Sequence, residues 1–497
     1  MKCFKSLTPV YRLKVFAVVV LAFIAIIQVS IIPAAVETGA PVEEFTTHLN
    51  GRIPKLMKRY DIPGVTIALV KGGKTVWTEA YGYADIATGR KMTVDTPCRG
   101  ESISKSITAW GVMKLVERGK VDLDTPVVEY IDNWKFPESK FSEEEITVRN
   151  LLTHSSGLPL GTIGVIYDPE EEIPSLRDKL SEQAVLDREP GRSFTYSNTG
   201  FNVLELLIEN VTGQGFSEYI EGEIFLPLGM EKSSFTWSEG FDPPVPFGYD
   251  LRGNPIPVYV YPDKASGGLF STAEDIATFI SAGMTDFSDS PDGVLSSENI
   301  EKIYSPSIKP TGFLGIGFDH YGLGHLIEYL NDKKAVAHGG QGTGWMTHFH
   351  AVPETGDGIV VLTNSQRSWP FFANVLTDWG DWNGFSSLGI STLLLAQKIL
   401  WGVIGLLFLV LSWQVWRIGW GLYNGRRGFS PLAVISSFSG LVQLGVSFAL
   451  FGILVWAINQ DYLALTSVFP MTSNWLGYSL LSAGIVLFLT ALSRKRK

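Results

Sequence analysis

Three long apolar segments near the end of the chain constrain its fold more than any other feature. They run over about 399–416, 432–458 and 475–492, and each is long enough to cross a bilayer as a helix. Inside lipid a helix satisfies its own backbone polar groups, so we expect all three segments to be helical. Residues 381–497 are therefore assigned to a membrane region with three transmembrane helices.

A fourth apolar run, over 15–32, follows a basic segment at the N-terminus. This is the pattern of a signal peptide or of an N-terminal membrane anchor, and we assign 1–39 to one of the two. The sequence Pro33–Ala35 makes a poor small-x-small cleavage site, which slightly favours a retained anchor.

Basic residues predict how the chain is oriented. The connection between the first two C-terminal segments carries Arg417, Arg426 and Arg427, and the chain ends in Arg494–Lys497. By the positive-inside rule these parts are cytoplasmic, so the chain is a multi-pass protein of the cell membrane. Residues 40–380 are then extracytoplasmic, and the lipid bilayer is one partner. Protein partners are not indicated by any motif.

The part over 40–380 is large enough to bury a core without disulfides. The chain has only two cysteines, Cys3 and Cys98, which would lie on opposite sides of the membrane, so no internal bridge is expected. The formal net charge is −10, and basic residues cluster only beside the apolar segments. Nucleic-acid binding is therefore not expected.

Three short motifs carry the chemistry of 40–380. They are Ser102–Lys105 (Ser-Ile-Ser-Lys), Tyr196–Asn198 (Tyr-Ser-Asn) and His338–Gly340 (His-Gly-Gly). A hydroxyl nucleophile with a basic neighbour and backbone amides for an oxyanion are the parts of an acyl-transfer site. The first motif is weak by itself, because Ser102 could equally be the N-cap of the helix that follows it.

Five blocks in this order resemble the class C β-lactamase family, which also contains serine D,D-peptidases, penicillin-binding proteins and esterases. The blocks are 100–109, 151–159, 196–198, 266–272 and 338–345, and the resemblance spans about 45–370. It implies an α+β fold in which an antiparallel sheet with flanking helices lies beside a helical lobe. It also implies a serine hydrolase that works through an acyl-enzyme.

The resemblance assigns roles to individual residues. Ser102 is the expected nucleophile, and Lys105 and Tyr196 are the expected catalytic partners. Which of these two accepts the proton of the serine is left open, since a tyrosine acts near neutral pH only if its pKa falls well below about 10. Asn198 is expected to position the amide of the substrate. For the loop around His154, the sequence predicts only that this histidine holds the loop in place.

The third motif is expected to bind substrate. The backbone amides of Ser102 and Gln341 would form the oxyanion hole, and Gly339 and Gly340 would let the strand approach the substrate closely. Where β-lactamases of this family commonly have Lys-Thr-Gly, this chain has His338, which is charged only when protonated. This difference puts efficient β-lactam hydrolysis in doubt. Packing within a strand is the alternative role for the histidine.

The substrate is thus expected to be a small or cell-wall-derived molecule with a D-alanyl peptide, D-alanyl ester or β-lactam bond. The alternative is a slowly acylating penicillin-binding sensor, or a membrane-linked binding protein without hydrolase activity. Intact serine, lysine and tyrosine positions favour catalysis. His338, His348 and His350 lack a nearby acidic or cysteine ligand at regular spacing, so neither a metal nor another cofactor is expected.

Hydrophobic patterns place the secondary structure around these motifs. Strands are predicted at 64–70, 75–81, 335–338, 345–352 and 358–363. Helices are predicted near 104–118, 147–152, 201–212, 216–222 and 272–283. The polar segments 163–190 and 286–300 are predicted to be loops at the rim of the site.

Overall fold

The computed structural model describes residues 36–161, 163–284, 286, 293–430, 437–460 and 464–495. The predicted signal peptide or anchor therefore lies almost entirely outside the described residues. The chain divides into two compact units, of which one comprises Val36–Thr392 and the other includes Leu393–Lys497.

Val36–Thr392 contains both helices and strands. Its helices are α1 (Val42–Tyr60), α2 (Ser104–Glu117), α3 (Val148–Leu152), α4 (Leu176–Gln183), α5 (Asn198–Thr212), α6 (Phe216–Ile220), α7 (Leu226–Leu228), α8 (Ala273–Ala282), α9 (Ser297–Ile303), α10 (Leu314–Gly317) and α11 (Trp369–Asn383). Its strands are β1 (Gly64–Lys71), β2 (Lys74–Asp85), β3 (Arg90–Lys91), β4 (Cys98–Arg99), β5 (Gly248–Tyr249), β6 (Pro255–Ile256), β7 (Phe270–Ser271), β8 (His320–Tyr321), β9 (Leu326–Leu330), β10 (Lys333–Gln341), β11 (Met346–Val352) and β12 (Asp357–Thr363).

Eight of these strands form one antiparallel sheet in the order β3-β2-β1-β12-β11-β10-β9-β8. The hairpin β1–β2 is the one predicted from the sequence. Strand β1 also pairs with β12, with Val65 opposite Thr363, so the two ends of this unit meet in the middle of the sheet. The predicted α+β class with an antiparallel sheet is confirmed.

Helices cover both faces of the sheet because its strands carry apolar side chains on both. On β11, Phe349 points towards Phe279 of α8, whereas the ring of His350 lies 5.6 Å from that of Trp379 of α11. Successive side chains of a strand point to opposite faces, so α8 and α11 lie on opposite sides. Helix α1 lies beside α11, where Phe45 stacks on Trp382 at 4.2 Å.

Helix α2 follows the serine of the first motif and is buried almost all round, including Trp110 and the whole of its first turn. A helix that is apolar or tightly paired on every side belongs in the interior. Helices α5 and α6 pack against it, and α3 packs against α5 within the same core. This helical lobe fixes the position of the residues at the N-terminus of α2.

Two predicted loops contain helices. Residues 163–190 include α4, which begins with a capping box between Ser175 and Asp178. The Ser-x-x-Asp spacing is the sequence signal that indicates the start of this helix. Helix α9 likewise begins inside 286–300, of which 287–292 lie outside the described residues. Sequence analysis also missed the helices α1 and α11.

The second unit contains α12 (Thr392–Tyr423), α13 (Phe438–Ile458), α14 (Ala464–Val468), α15 (Pro470–Leu492) and the two short strands β13 (Arg427–Phe429) and β14 (Ser493–Lys495). Three helical stretches are long and apolar enough to cross a membrane: Gly389–Tyr423, Phe438–Ile458 and Pro470–Leu492. The three predicted apolar helices are confirmed, although the first is longer than expected.

Close packing joins two of these helices. The hydroxyl of Ser447 in α13 donates to the carbonyl of Gly484 in α15 at 2.8 Å, and the ring of Phe451 packs directly against that glycine. Small residues and hydroxyl groups at helix contacts are typical of association within lipid. Gly484 therefore allows α13 and α15 to approach each other closely.

Candidate active site

Ser102 lies in a short 3-10 turn, Glu101–Ile103, that leads directly into α2. Lys105 follows it by three residues, so its side chain lies on the same side of the turn. Its Nζ donates to Ser102 Oγ at 3.0 Å and to the carbonyl of Ser266 at 2.7 Å. The lysine side chain is completely buried. The structure thus brings the predicted nucleophile and a basic group into hydrogen-bonding contact.

Burial changes the acidity of this lysine. Loss of water around Lys105 lowers its pKa to about 7, while the negative charges of Glu101 and Asp263 act in the opposite direction. An ammonium of ordinary pKa would remain protonated near neutrality, but here a large fraction is the neutral amine. A neutral amine 3.0 Å from a hydroxyl can accept its proton.

Tyr196 approaches the same serine. Its side chain interacts with that of Ser102, and its ring centre lies 5.0 Å from Lys105 Nζ. Burial raises the pKa of Tyr196 above its ordinary value, so the phenol stays neutral. The sequence alone did not decide whether Lys105 or Tyr196 accepts the proton of the serine. The geometry and burial favour the amine of Lys105, and the phenol of Tyr196 is suited to relay a proton.

His154 holds the loop that carries Tyr196. Its Nδ1 accepts the backbone N–H of Ser197 at 3.1 Å, and its ring lies 4.2 Å from that of Tyr196. Burial lowers the pKa of His154 well below its ordinary value, so it stays neutral and keeps its acceptor nitrogen. Ser197 also caps α5 through the N–H of Gly200. His154 therefore contacts the first two residues of the second motif, Tyr196 and Ser197.

Replacing His154 with phenylalanine is expected to lower kcat/KM about 10- to 100-fold, because the unpaired N–H of Ser197 lets Tyr196 move. The measurement is steady-state hydrolysis of a soluble ester. His154→Asn is the matched control, since its amide oxygen can accept the same N–H and asparagine tolerates the left-handed φ of 56° at this position. Equal losses in both variants would contradict a positioning role.

The third motif runs along β10 beside the serine turn. The backbone of Gly340 passes the carbonyl of Gly100 so closely that a Cβ at this position would collide with it. Thr347 donates its hydroxyl to the same carbonyl at 2.9 Å and keeps the two segments in register. The side-chain oxygen of Gln341 accepts the indole N–H of Trp369 at 3.1 Å. The oxyanion role of the Ser102 and Gln341 amides stays a prediction.

His338 is buried within this motif. Its Nε2 lies 3.2 Å from the hydroxyl of Tyr321 and its Nδ1 lies 2.9 Å from the carbonyl of Gly339. Burial, followed by the nearby charge of Lys105, lowers the pKa of His338 to about 3. The histidine is therefore neutral at physiological pH and offers no fixed positive charge to a substrate carboxylate.

Asn198 is the first residue of α5, and its backbone N–H donates to the carbonyl of Leu160 at 3.0 Å. Its side chain is half-buried. The structure therefore places the residue at the edge of the helical lobe, beside the segment that follows Pro159. Its contact with substrate stays a prediction.

Glu101 is a functional residue that sequence analysis missed. It precedes the serine with a left-handed φ of 48°, which costs roughly 1–2 kcal/mol for a residue other than glycine. Its buried carboxylate accepts Arg99 Nε at 2.7 Å and the hydroxyl of Tyr259 at 2.9 Å. The hydroxyl of Tyr261 donates to it at 3.3 Å. These bonds offset the strain and hold the turn that presents Ser102.

Replacing Glu101 with glutamine is expected to shift the acid limb of the kcat/KM profile to lower pH. The carboxylate raises the pKa of Lys105, so its loss, together with the uncompensated charge of Arg99, lowers that pKa. Breaking this buried pair should also cost about 3–5 kcal/mol of stability. The pH profile of Glu101→Gln is compared with that of Tyr261→Phe, a variant that keeps the carboxylate of Glu101. An unshifted limb in a folded Glu101→Gln protein would count against this electrostatic role.

No group of three or more His, Cys, Asp or Glu residues that could hold a metal ion occurs among the described residues. His348 and His350 lie on β11 with both rings buried, and each packs against an aromatic ring of α11. Cys98 is a free, buried thiol whose pKa burial raises to about 12, so it is a poor nucleophile.

Comparison with known proteins gives related sequences and folds. A family model described as Beta-lactamase matches residues 49–376. Protein flp of Staphylococcus aureus (strain COL) is 25% identical over 428 residues, which cover 80% of each chain. The octameric penicillin-binding protein homologue from Pyrococcus abyssi has a TM-score of 0.55 and 31% identity, covering 67% of this chain and 77% of that one.

A second solved structure is the D-amino acid amidase from Ochrobactrum anthropi SV3 complexed with L-phenylalanine. It has a TM-score of 0.55 and 26% identity, and the similarity covers 65% of this chain and 91% of that one. The residues matched by the family model include all three motifs of the site.

Proposed function

Because this chain belongs to the Beta-lactamase family, which groups serine hydrolases, we propose that it hydrolyses acyl substrates through an acyl-enzyme on Ser102. The observation that carries the proposal is the buried Lys105, whose Nζ lies 3.0 Å from Ser102 Oγ and whose pKa is lowered to about 7. These two properties are what a general base for a serine requires near neutral pH.

The proposed acylation proceeds in two stages. Lys105 accepts the proton of Ser102 as Oγ forms a bond to the substrate carbonyl carbon, and the carbonyl oxygen becomes an oxyanion near the amides of Ser102 and Gln341. The intermediate then expels its alkoxide or amine, which takes the proton from Lys105 by way of the hydroxyl of Tyr196. A water molecule hydrolyses the resulting ester and restores the serine.

We propose D-alanyl esters or amides as the substrate class, with β-lactams as weaker substrates. The neutral, buried His338 supplies no permanent positive charge where a β-lactam or a peptide would place its carboxylate. The structural similarity to a D-amino acid amidase supports a D-aminoacyl group. Asn198, at the edge of the site, is proposed to hold the amide or amine of that group.

We also propose that the three apolar helices anchor the enzyme in the cell membrane, with the hydrolase outside. The helices of 35, 21 and 23 residues support membrane association, and the arginines between the first two support the orientation. The proposed division keeps a hydrolase domain over 40–380 and a membrane region over 381–497. Protease accessibility of the hydrolase domain in intact cells would test the orientation.

The proposed activity is tested with the full chain in detergent micelles. Nitrophenyl esters and anilides of D-alanine and L-alanine are compared with benzylpenicillin, and Ser102→Ala is the control. We expect many turnovers of a D-alanyl substrate and few of the penicillin. A lasting penicillin adduct without turnover of any substrate would instead support the slowly acylating sensor. If neither an adduct nor turnover is observed, both functions are overturned.

A further inference from the structure

The segment over 313–318 borders the site and exposes apolar side chains. Ile316 of α10 is 65% exposed and Phe313 is 43% exposed. From the same segment, Leu314 and Phe318 pack into the small apolar cluster that Tyr196 also contacts. The inner face of this segment therefore supports the site, whereas its outer face presents an isoleucine and a phenylalanine to the surroundings.

The same segment reaches the other side of the site. The ring of Phe313 lies 5.4 Å from that of Trp369 in an edge-on arrangement. The indole N–H of Trp369 in turn donates to the side chain of Gln341 at the end of β10. Residues 313–318 thus extend between the tyrosine and the strand of the proposed oxyanion hole, and form one lip of the site.

A second apolar lip lies beside Asn198. The carbonyl of Leu160 accepts the N–H of Asn198, and the following residues Ile163 and Val165 are 66% and 41% exposed. Exposed aliphatic side chains are ordinary when scattered, but a group around one opening indicates a surface that binds something apolar. Both lips of the site have this character.

A contact between the lip over 313–318 and the start of the first candidate membrane span indicates what covers the apolar side chains of the lip. The backbone of Gly317, at the end of α10, packs directly against Gly389, where a Cβ would have no room. The N–H of Gly389 also donates to the buried carboxylate of Glu328 at 2.9 Å. Gly389 is the first residue of the first candidate membrane span. The apolar lip thus packs against the residue at which the first candidate membrane span begins, three residues before α12.

We propose that the lip over 313–318 contacts the surface of the lipid bilayer through Ile316 and Phe313, and that the site opens at that surface. Aliphatic and aromatic side chains at such a boundary insert into the region between headgroups and acyl chains. This inference rests on the proposed membrane anchoring and hydrolase function. It predicts that carbonyls presented at the membrane surface are reached more readily than the same carbonyls in solution.

The contact is tested with a fluorescent probe on the full chain. Cys3 is replaced by serine, Ile316→Cys is labelled with a polarity-sensitive fluorophore, and the protein is reconstituted into phosphatidylcholine vesicles. Ile86→Cys is the matched control, because Ile86 is 54% exposed and follows β2, near the opposite edge of the sheet. Nitroxide lipids should quench the probe at 316 and leave the probe at 86 unchanged.

Three results would overturn the inference. One is no quenching at position 316, and another is equal quenching at both positions. The third is a change in the fluorescence of the probe at 316 that depends on protein concentration but not on nitroxide lipids. This result would indicate that a second copy of the chain covers the lip. Because none of these readouts uses hydrolysis, a failure of the proposed function cannot be mistaken for a failure of the membrane contact.

Activity gives a second, separate measurement. With Ile316→Glu, hydrolysis of a D-alanyl ester coupled to a vesicle lipid should fall about tenfold, since the charged side chain cannot enter the boundary. The readout is the ratio of lipid-coupled to soluble ester hydrolysis, which separates the membrane contact from an effect of the variant on the site itself. Ile86→Glu should change neither rate. Equal rates of lipid-coupled hydrolysis in the two variants would contradict the contact, whereas wild-type protein inactive on every ester would contradict the proposed function.

Discussion

Replacing Ser102 with alanine is expected to abolish acylation and to lower kcat/KM by at least about 10⁴-fold. Lys105 Nζ hydrogen-bonds with the serine hydroxyl and the Tyr196 side chain interacts with it, and without it neither partner has a nucleophile to activate. Intact mass after incubation with a penicillin or a D-alanyl ester measures the acyl-enzyme. Release of the leaving group from the same ester measures turnover.

Ser106→Ala is the matched control for this prediction. Ser106 lies on the same buried helix, but its hydroxyl donates to the carbonyl of Gly324 and has no place in the proposed chemistry. We expect it to lose about 1 kcal/mol of stability and to keep its acyl adduct. Hydrolysis that persists in purified Ser102→Ala protein would show that another group is the nucleophile.

The second large effect is expected from Lys105. Replacing it with methionine, which preserves most of its volume, should lower kcat/KM by about 10²–10⁴-fold, the usual contribution of a general base. In the wild-type enzyme, kcat/KM should rise with pH around a midpoint near 7. Below its pKa of about 7 the lysine is protonated and cannot accept a proton, and above that pKa it is the neutral amine. A pH series on a soluble ester measures this limb.

Lys105→Arg distinguishes proton transfer from simple attraction. Arginine keeps a positive charge near the serine but stays protonated at every accessible pH. It should therefore be as impaired as Lys105→Met, and its residual activity should lack the limb near pH 7. An active arginine variant would mean that the lysine acts by its charge, and the proton acceptor would have to be sought at Tyr196.

Local patterns predicted the parts of the site that lie within one turn of a helix or along one strand. The three-residue spacing of Ser102 and Lys105 is sufficient to place them together, and strand periodicity found β1, β2, β11 and β12. Helix α1 was missed although its buried residues Phe45, Leu49 and Ile53 recur every four positions, because Pro54 within the helix is usually a sign that a helix ends.

Contacts between distant residues could not be predicted in the same way. Nothing near Glu101 in the sequence indicates that Tyr259 will donate to its carboxylate, since the two are brought together only by the fold. The same holds for His154 and the N–H of Ser197. The state of His338 depended on burial, because an exposed histidine in the same motif would titrate near pH 6.5. Motifs thus indicated the reacting groups, whereas the groups that tune them required the structure.

The pairing of β1 with β12 also determines when this domain can fold. Leu69 pairs with Ile359, so the centre of the sheet joins the beginning of the domain to a segment made almost three hundred residues later. Contacts so far apart in the chain form slowly, because a long loop must close before they stabilise anything. During synthesis, β1 and β2 therefore emerge long before their central partner, with an apolar hairpin edge open to aggregation. A nascent chain that ends before Asp357 should remain unfolded and depend on chaperones.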